Sequence, residues 1–256
     1  MSEKVPKIIF KAMPLSESVD SIHGFLNPYK NEWDWSEMIY GEYPNIKDKL
    51  KGIKKVGDRK AIETDFFKEY IVNNDIDLSA TAKIFQHCWD KFGNEIFLVL
   101  AEILEVDWAG IPPEISAYIS LNPINPRDIE NFSFEVFYKY PQERVISVSI
   151  HELLHFIYFK KCRQVFPKTK ERELDAPYLA WHLSEMVPAI ILNDECLQKV
   201  FKYNFRSYDI YEDATLHGKS LLSYLKEFYD TRNDFEDFLK KSWDFVQENE
   251  SFIQDL

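Results

Sequence analysis

The sequence lacks the features of disulfide-rich and membrane-spanning proteins. Its three cysteines are an odd number and form no CxxC pair, so they fit neither a disulfide framework nor a thiolate zinc site. We expect buried free thiols at Cys88, Cys162 and Cys196. No apolar run approaches the roughly 20 residues that a membrane span needs, and the N-terminus does not have the pattern of a signal peptide. We therefore expect a cytoplasmic protein with no membrane partner.

Glycine is scarce, and basic residues are outnumbered by acidic ones. Seven glycines among 256 residues, with no Ser/Gly-rich or repeated tract, predict neither a flexible linker nor a solenoid. The 31 basic and 43 acidic side chains give a net charge of −12, which repels phosphate backbones and anionic lipid surfaces. We do not expect nucleic acid as a partner, and we expect a single folded unit.

Hydrophobic periodicity predicts a mainly helical chain with a small sheet near its middle. Alternating apolar residues indicate strands at 115–121 and 132–140, and the apolar run 5–10 could be an opening strand. Helical spacing is found at 62–72, 79–89 (capped by Ser79), 94–106, 141–161, 171–194, 219–229 and 234–252, whereas 16–43 is interpreted as irregular helix and loop. The order predicts an α+β fold in one domain, 1–256, with an N-terminal lobe of about 1–165 and a helical C-terminal lobe of about 166–256.

Residues 151–155 read HELLH, an HExxH motif inside a predicted helix. The spacing places His151 and His155 on one helical face, about 6 Å apart, where two neutral nitrogens can bind one Zn²⁺. Glu152 can then take a proton from a zinc-bound water without being a ligand. No other charge occurs between Val145 and Phe159, so burying three ionisable groups there is costly unless a metal compensates them. The alternative is a pair of core histidines that donate hydrogen bonds to carbonyl groups.

The motif and its flanks resemble the signature of zincin metallopeptidases. That signature has a hydrophobic residue or threonine three positions before the first histidine, uncharged residues around the motif, and a hydrophobic residue two positions after it. The residues that match are Val148, Ser149, Leu153, Leu154, Phe156 and Ile157. The resemblance implies a zinc-dependent peptidase. In zincins a strand before the motif helix pairs with the extended substrate, and residues 132–140 are similar to it in position and pattern.

A third metal ligand has to come from outside the motif. The metzincin continuation is absent, because Tyr158 and Lys161 stand where it requires glycine and histidine. A gluzincin-like glutamate from a later helix is what remains. Glu185 falls in the middle of the apolar face of the helix predicted at 171–194, where an unpaired carboxylate would be costly and a zinc ligand would not.

The segment 181–185 also resembles the gluzincin helix that supplies the third ligand. It departs from the common pattern at Ala189, where a supporting aspartate would be expected, and Pro188 should kink the helix. The partners that would orient the two motif histidines are therefore not identified.

Other residues remain candidates for the third ligand. Glu173 and Asp175 faintly resemble the glutamate-bearing segment of HExxH proteases that cleave regulators, although a solvated helix start is the simpler interpretation. His182 could be a ligand, a partner of a ligand or a transition-state donor, or simply a core histidine.

A tetrahedral intermediate also needs a group that stabilises its negative charge. Tyr208, Tyr211 and His217 lie in the segment that follows the proposed ligand helix and could supply it, with packing as the alternative.

The combined pattern predicts a zinc-dependent hydrolase that acts on a peptide or protein substrate. A non-catalytic scaffold or partner-binding protein, in which zinc only joins two helices, is the alternative, and a hydrolase of non-peptide amides is another. An open coordination position would favour the enzyme, and a fourth protein ligand the scaffold. The sequence indicates no particular oligomeric state.

Overall fold

A computed structural model describes residues 5–27, 34–174 and 176–256. The strands are β1 (Lys7–Ala12), β2 (Glu114–Ser120), β3 (Arg127–Asp128), β4 (Ser133–Phe137), β5 (Thr215–Leu216) and β6 (Lys219–Ser220). The helices are α1 (Leu15–Leu26), α2 (Ser36–Glu42), α3 (Pro44–Leu50), α4 (Val56–Asn73), α5 (Leu78–Trp89), α6 (Gly93–Leu104), α7 (Gln142–Val165), α8 (Leu179–Met186), α9 (Pro188–Ile191), α10 (Glu195–Val200), α11 (Asp209–Asp213), α12 (Leu221–Asp230), α13 (Phe235–Glu248) and α14 (Glu250–Gln254), with a 3₁₀ helix at Glu171–Leu174. The predicted fold class, predominantly helical α+β with a small mixed sheet, is confirmed.

The main sheet has the strand order β1-β2-β4-β3. β1, β2 and β4 run parallel, and the two-residue β3 pairs antiparallel with β4. Apolar residues of period two are buried along each of the longer strands, among them Ile8, Ile115 and Phe134. Pro126 and Arg127 pair with the outer side of β4, so the part of the chain that resembles a substrate-binding edge strand is covered at its start.

Backbone contacts divide the chain into two compact units. One consists mainly of Lys7–Lys91 and Pro112–Ser149; it holds the four-stranded sheet, with α5 on β1 and α1 against α4. The other consists mainly of Phe92–Ile111 and Ile150–Leu256; in it α6 packs against α10, and α8 against α13. The HExxH residues thus group with the C-terminal helices and not with the sheet. The assignment of the whole chain to one domain stays a prediction.

Helix α7 extends the predicted motif helix to Val165. Its residues from Val145 to Phe159 are buried except for the half-buried His151, as the lack of charge in this stretch predicts. At its C-terminal end, Lys160 and Lys161 donate to the backbone carbonyl groups of Asp107 and Glu105. These bonds anchor α7 to the segment that follows α6.

The helix predicted at 171–194 is wrong as a single element. The structure has the short 3₁₀ helix, then α8, then α9. Proline explains both breaks, because it has no N–H to donate and its ring clashes with the preceding turn. Pro177 lies just before α8, and Pro188 starts α9 where the predicted kink was expected.

The structure also differs from the sequence predictions at 16–43, at the start of α5 and at Cys196. The region 16–43 contains the regular helices α1 and α2, and its residues 28–33 lie outside the described part of the chain. Asp77, and not Ser79, caps α5 by accepting from two backbone N–H groups. Cys196 is exposed, whereas the other two thiols are buried as expected.

No helix in the described ranges is both long enough and apolar enough to cross a membrane.

Candidate metal centre

Helix α7 brings the two motif histidines together. The Nε2 atoms of His151 and His155 are 3.0 Å apart, and the ring planes are inclined at 70°. The His155 side chain is 1% exposed and stacks on Phe159 one turn further along α7, whereas the His151 side chain is 25% exposed. One histidine is therefore fixed in the core and the other can be reached by solvent.

Glu185 of α8 completes a group of three. Its Oε2 lies 3.6 Å from His151 Nε2 and its Oε1 lies 3.7 Å from His155 Nε2, and its side chain is 1% exposed. In the described part of the chain, these are the residues identified as a group that could hold a metal ion, with all ligand atoms within 4.8 Å of one another. Glu185, which the sequence predicted as the third ligand, is thus the residue that lies beside both motif histidines.

The spacing of the three residues fits a tetrahedral metal ion. An ion with bonds of about 2.0–2.1 Å to nitrogen and oxygen keeps its ligand atoms about 3.3 Å apart. The measured separations, 3.0, 3.6 and 3.7 Å, lie on both sides of that value. Two imidazoles and one carboxylate are also a donor set that suits zinc.

Local contacts of α8 hold Glu185 in this position. Every residue of the helix from Trp181 to Met186 is buried, so a rotation of the helix would not expose the Glu185 carboxylate to solvent. The backbone carbonyl of Glu185 accepts a hydrogen bond of 2.7 Å from the hydroxyl of Ser207. Nothing in the sequence pattern indicated Ser207, because this contact joins positions 22 residues apart.

Glu152 follows His151 directly in α7 and is 6% exposed. The glutamate at this position of an HExxH helix is the residue that we expect to exchange protons with a water in the site. The structure therefore brings all three motif residues and Glu185 into the same unit of the protein.

His182 lies one turn before Glu185 and binds Tyr211. Its Nδ1 is 2.8 Å from the Tyr211 hydroxyl, and both side chains are buried. Burial lowers the pKa of His182, and this effect outweighs the hydrogen bond to the Pro177 carbonyl, which raises it. A neutral ring can donate to that carbonyl and accept from the tyrosine. Burial, and then the charge of Glu185, raise the pKa of Tyr211.

The remaining candidates do not join the group of three. Glu173 accepts a hydrogen bond from the backbone N–H of Lys170, and Asp175 lies outside the described residues. His217 is exposed in the turn between β5 and β6 with a positive φ of 51°. Tyr208 is at the start of α11, with its ring 6.2 Å from that of Tyr211.

Comparison with known proteins gave no match to a family model, to a curated protein or to a solved structure.

Proposed function

We propose that this protein is a zinc-dependent metallopeptidase. The observation that carries the proposal is the position of the Glu185 carboxylate, within 3.7 Å of both motif histidines although it comes from a separate helix. Buried carboxylates are costly unless they are paired or bind a metal. A His–His–Glu set beside a further glutamate is the arrangement that the zincin resemblance implies.

His151, His155 and Glu185 would hold the ion and leave one position open. When bound, zinc supplies a Lewis acid that lowers the pKa of a coordinated water and polarises a carbonyl group. Structural zinc sites are instead closed by four protein ligands. The group found in the described residues has three members, and the partial exposure of His151 gives water a route to it. Both observations favour a catalytic over a scaffold role.

Glu152 is assigned the proton transfers. It takes a proton from the attacking water as the oxygen bonds to the substrate carbonyl carbon, and it passes that proton to the leaving nitrogen as the C–N bond breaks. The side chains of His182 and Tyr211 form a hydrogen bond with each other in the core, so we assign them the role of holding α8 and α11 around Glu185.

A peptide or protein substrate and a cytoplasmic location are parts of the same proposal. The substrate follows from the zincin resemblance. All three cysteines are free, which suits a reducing compartment, and the net charge of −12 disfavours nucleic acids and anionic membranes as partners.

The decisive experiment compares the parent with Glu152→Gln and with a matched control, Glu173→Gln. Metal content is measured on each purified protein, and each is assayed on a mixed-peptide library. We expect one zinc per chain in all three, cleavage by the parent and the control, and a rate about 10²–10⁴-fold lower for Glu152→Gln. Absence of zinc from the parent, or undiminished cleavage by Glu152→Gln, would reject the proposal.

A further inference from the structure

A pocket separate from the candidate metal centre lies in the unit that contains the four-stranded sheet. It has a volume of about 530 Å³ and is formed by α1, by β2 and β4, and by the segment that includes β3. Binding sites for small molecules have volumes of about 300–1,000 Å³, so this pocket can accept an organic group. None of its lining residues belongs to the candidate metal centre.

Glu135 distinguishes this pocket from an ordinary surface groove. It lies on β4, is 7% exposed, and its Oε2 accepts no hydrogen bond from the described residues. Burial raises the pKa of Glu135 to about 7, against the smaller opposing effects of the Ser120 and Ser21 hydroxyls. A buried acceptor without a donor is costly. A ligand that relieves this cost donates a hydrogen bond, and a positively charged donor also stabilises the ionised carboxylate.

The other charged lining residues favour the same kind of ligand on balance, because carboxylates outnumber the single guanidinium, that of Arg127, which opposes a cation. Tyr118, the partner of Glu135 in the register between β2 and β4, contributes an aromatic ring, and a cation is attracted to the face of such a ring. Three more carboxylates and one guanidinium complete the charged lining: Glu17, Asp20, Asp128 and Arg127. Asp20 is paired with Lys60 at 2.6 Å, and Glu17 and Asp128 are exposed, so Glu135 is the buried carboxyl group of the pocket.

A bare metal ion fits this pocket less well than an organic cation. In the part of the chain that the structure describes, the side-chain atoms that lie close enough together to hold a metal ion belong to His151, His155 and Glu185, and none of these residues lines the pocket. The pocket also has far more room than a single ion needs.

We propose that the Glu135 pocket binds an organic cation, an ammonium or guanidinium group, by a charge-assisted hydrogen bond to the Glu135 carboxylate. A planar guanidinium can donate to both carboxylate oxygens, so it should bind more tightly than an ammonium. Such a group occurs both in small amines and in the lysine and arginine side chains of peptides.

Calorimetric titration of the intact chain with butylguanidinium, butylammonium and neutral butyramide tests the proposal. We expect the two cations to bind the parent with dissociation constants of ~1 mM or tighter, and the amide not to bind. Glu135→Gln should weaken cation binding at least ~10-fold, whereas Glu69→Gln, which removes an exposed carboxylate of α4 outside the pocket, should change it less than ~3-fold. Titrations in buffers of different ionisation enthalpy should show that binding near pH 7 releases protons from the parent and none from Glu135→Gln.

A second arm distinguishes the two sources of the cation. It compares butylguanidinium with an acetylated and amidated Ala-Arg-Ala peptide, and it uses Glu152→Gln so that hydrolysis cannot consume the peptide. Tighter binding of the peptide than of butylguanidinium would identify peptide side chains as the source. Equal or weaker binding of the peptide would identify a free small cation as the source. Failure of the parent to bind either cation, or equal binding by Glu135→Gln, would overturn the proposal. Neither result depends on whether the chain is a peptidase.

Discussion

The hydroxyl of Tyr211 lies 2.8 Å from Nδ1 of His182, and this buried pair joins α11 to the helix that carries Glu185. Tyr211→Phe leaves a buried histidine nitrogen without its donor, which should lower the free energy of unfolding by about 1–3 kcal/mol. Because the pair supports the position of Glu185, zinc affinity should fall as well, by a smaller factor than when a ligand is removed.

Urea unfolding and zinc titration of Tyr211→Phe measure these two effects. Tyr178→Phe is the matched control, because Tyr178 is exposed at the start of α8 and should change neither quantity. Unfolding and zinc affinity identical to the parent would show that the hydrogen bond does not support the site.

Removing the charge of Glu185 should affect metal binding more than it affects the metal-free protein. Glu185→Gln deletes the anionic group proposed as a zinc ligand and should weaken zinc binding strongly. Zinc at about 100 times its dissociation constant should stabilise the parent by about 2.7 kcal/mol, and this gain should be lost in the variant. Without metal, the variant buries no carboxylate here but also loses the proximity of this group to both histidines, so its stability should change less than the zinc-dependent gain does.

Thermal unfolding with and without zinc tests this prediction, and Glu173→Gln serves as the control that keeps the zinc effect. A zinc-dependent shift in Glu185→Gln as large as in the parent would show that Glu185 is not a ligand.

The raised pKa of Glu135 predicts that protein stability falls as the pH rises. The folded state retains the proton up to about pH 7, whereas the ordinary value for this side chain is 4.5. Its contribution to stability is therefore fully present below about pH 4.5 and is lost as the pH rises through about 7. Glu135→Gln removes this dependence and should be more stable than the parent at pH 8, by up to about 3 kcal/mol.

Urea midpoints of the parent and of Glu135→Gln between pH 4.5 and 8 give the comparison, with Glu17→Gln as an exposed control. A constant difference between Glu135→Gln and the parent across this range would contradict the assignment.

The motif helix was predictable because its signal is local. An uninterrupted apolar stretch and an i, i+4 pair of histidines determine both the helix and the direction of the imidazoles. Periodicity also selected Glu185, although the helix assumed for it was too long, since it ignored Pro177. The contacts of Ser207 with Glu185 and of Tyr211 with His182 join segments 22 and 29 residues apart, and no local pattern encodes them. The two-residue β3 is likewise too short to give a period.

The three cysteines should differ sharply in reactivity. Cys196 is exposed near the start of α10, whereas Cys88 and Cys162 are buried, and burial raises the pKa of Cys162 to about 12. The charge of Asp194 also raises the pKa of Cys196, so exposure and not ionisation distinguishes this thiol. Because a reagent can reach it, we expect one thiol to react in a rapid phase with a disulfide reagent in the folded protein and three in denaturant. Cys196→Ser should remove the rapid phase. A rapid phase that survives this substitution would show that a buried thiol becomes accessible.

The carboxamide of Gln86 takes the place of a neighbouring strand at the edge of the main sheet. Its Oε1 accepts from the N–H of Phe10 at 2.9 Å, and its Nε2 donates to the carbonyl of Ile8 at 3.1 Å and to Asp90 at 2.8 Å. β1 is an outer strand of this sheet, and unpaired backbone groups on such a strand can bind another chain. Gln86 thus satisfies two backbone groups that would otherwise invite pairing.

Gln86→Met keeps the length of the side chain and removes all of these hydrogen bonds. We expect a loss of about 1–3 kcal/mol in the free energy of unfolding and concentration-dependent self-association, measured by urea unfolding and by light scattering. Lys83→Met, in the same groove, adds the same apolar side chain without touching the backbone of β1, and it should remain like the parent. Self-association of both variants would point to added hydrophobicity as the cause, and unchanged behaviour of Gln86→Met would show that the edge of β1 needs no such protection.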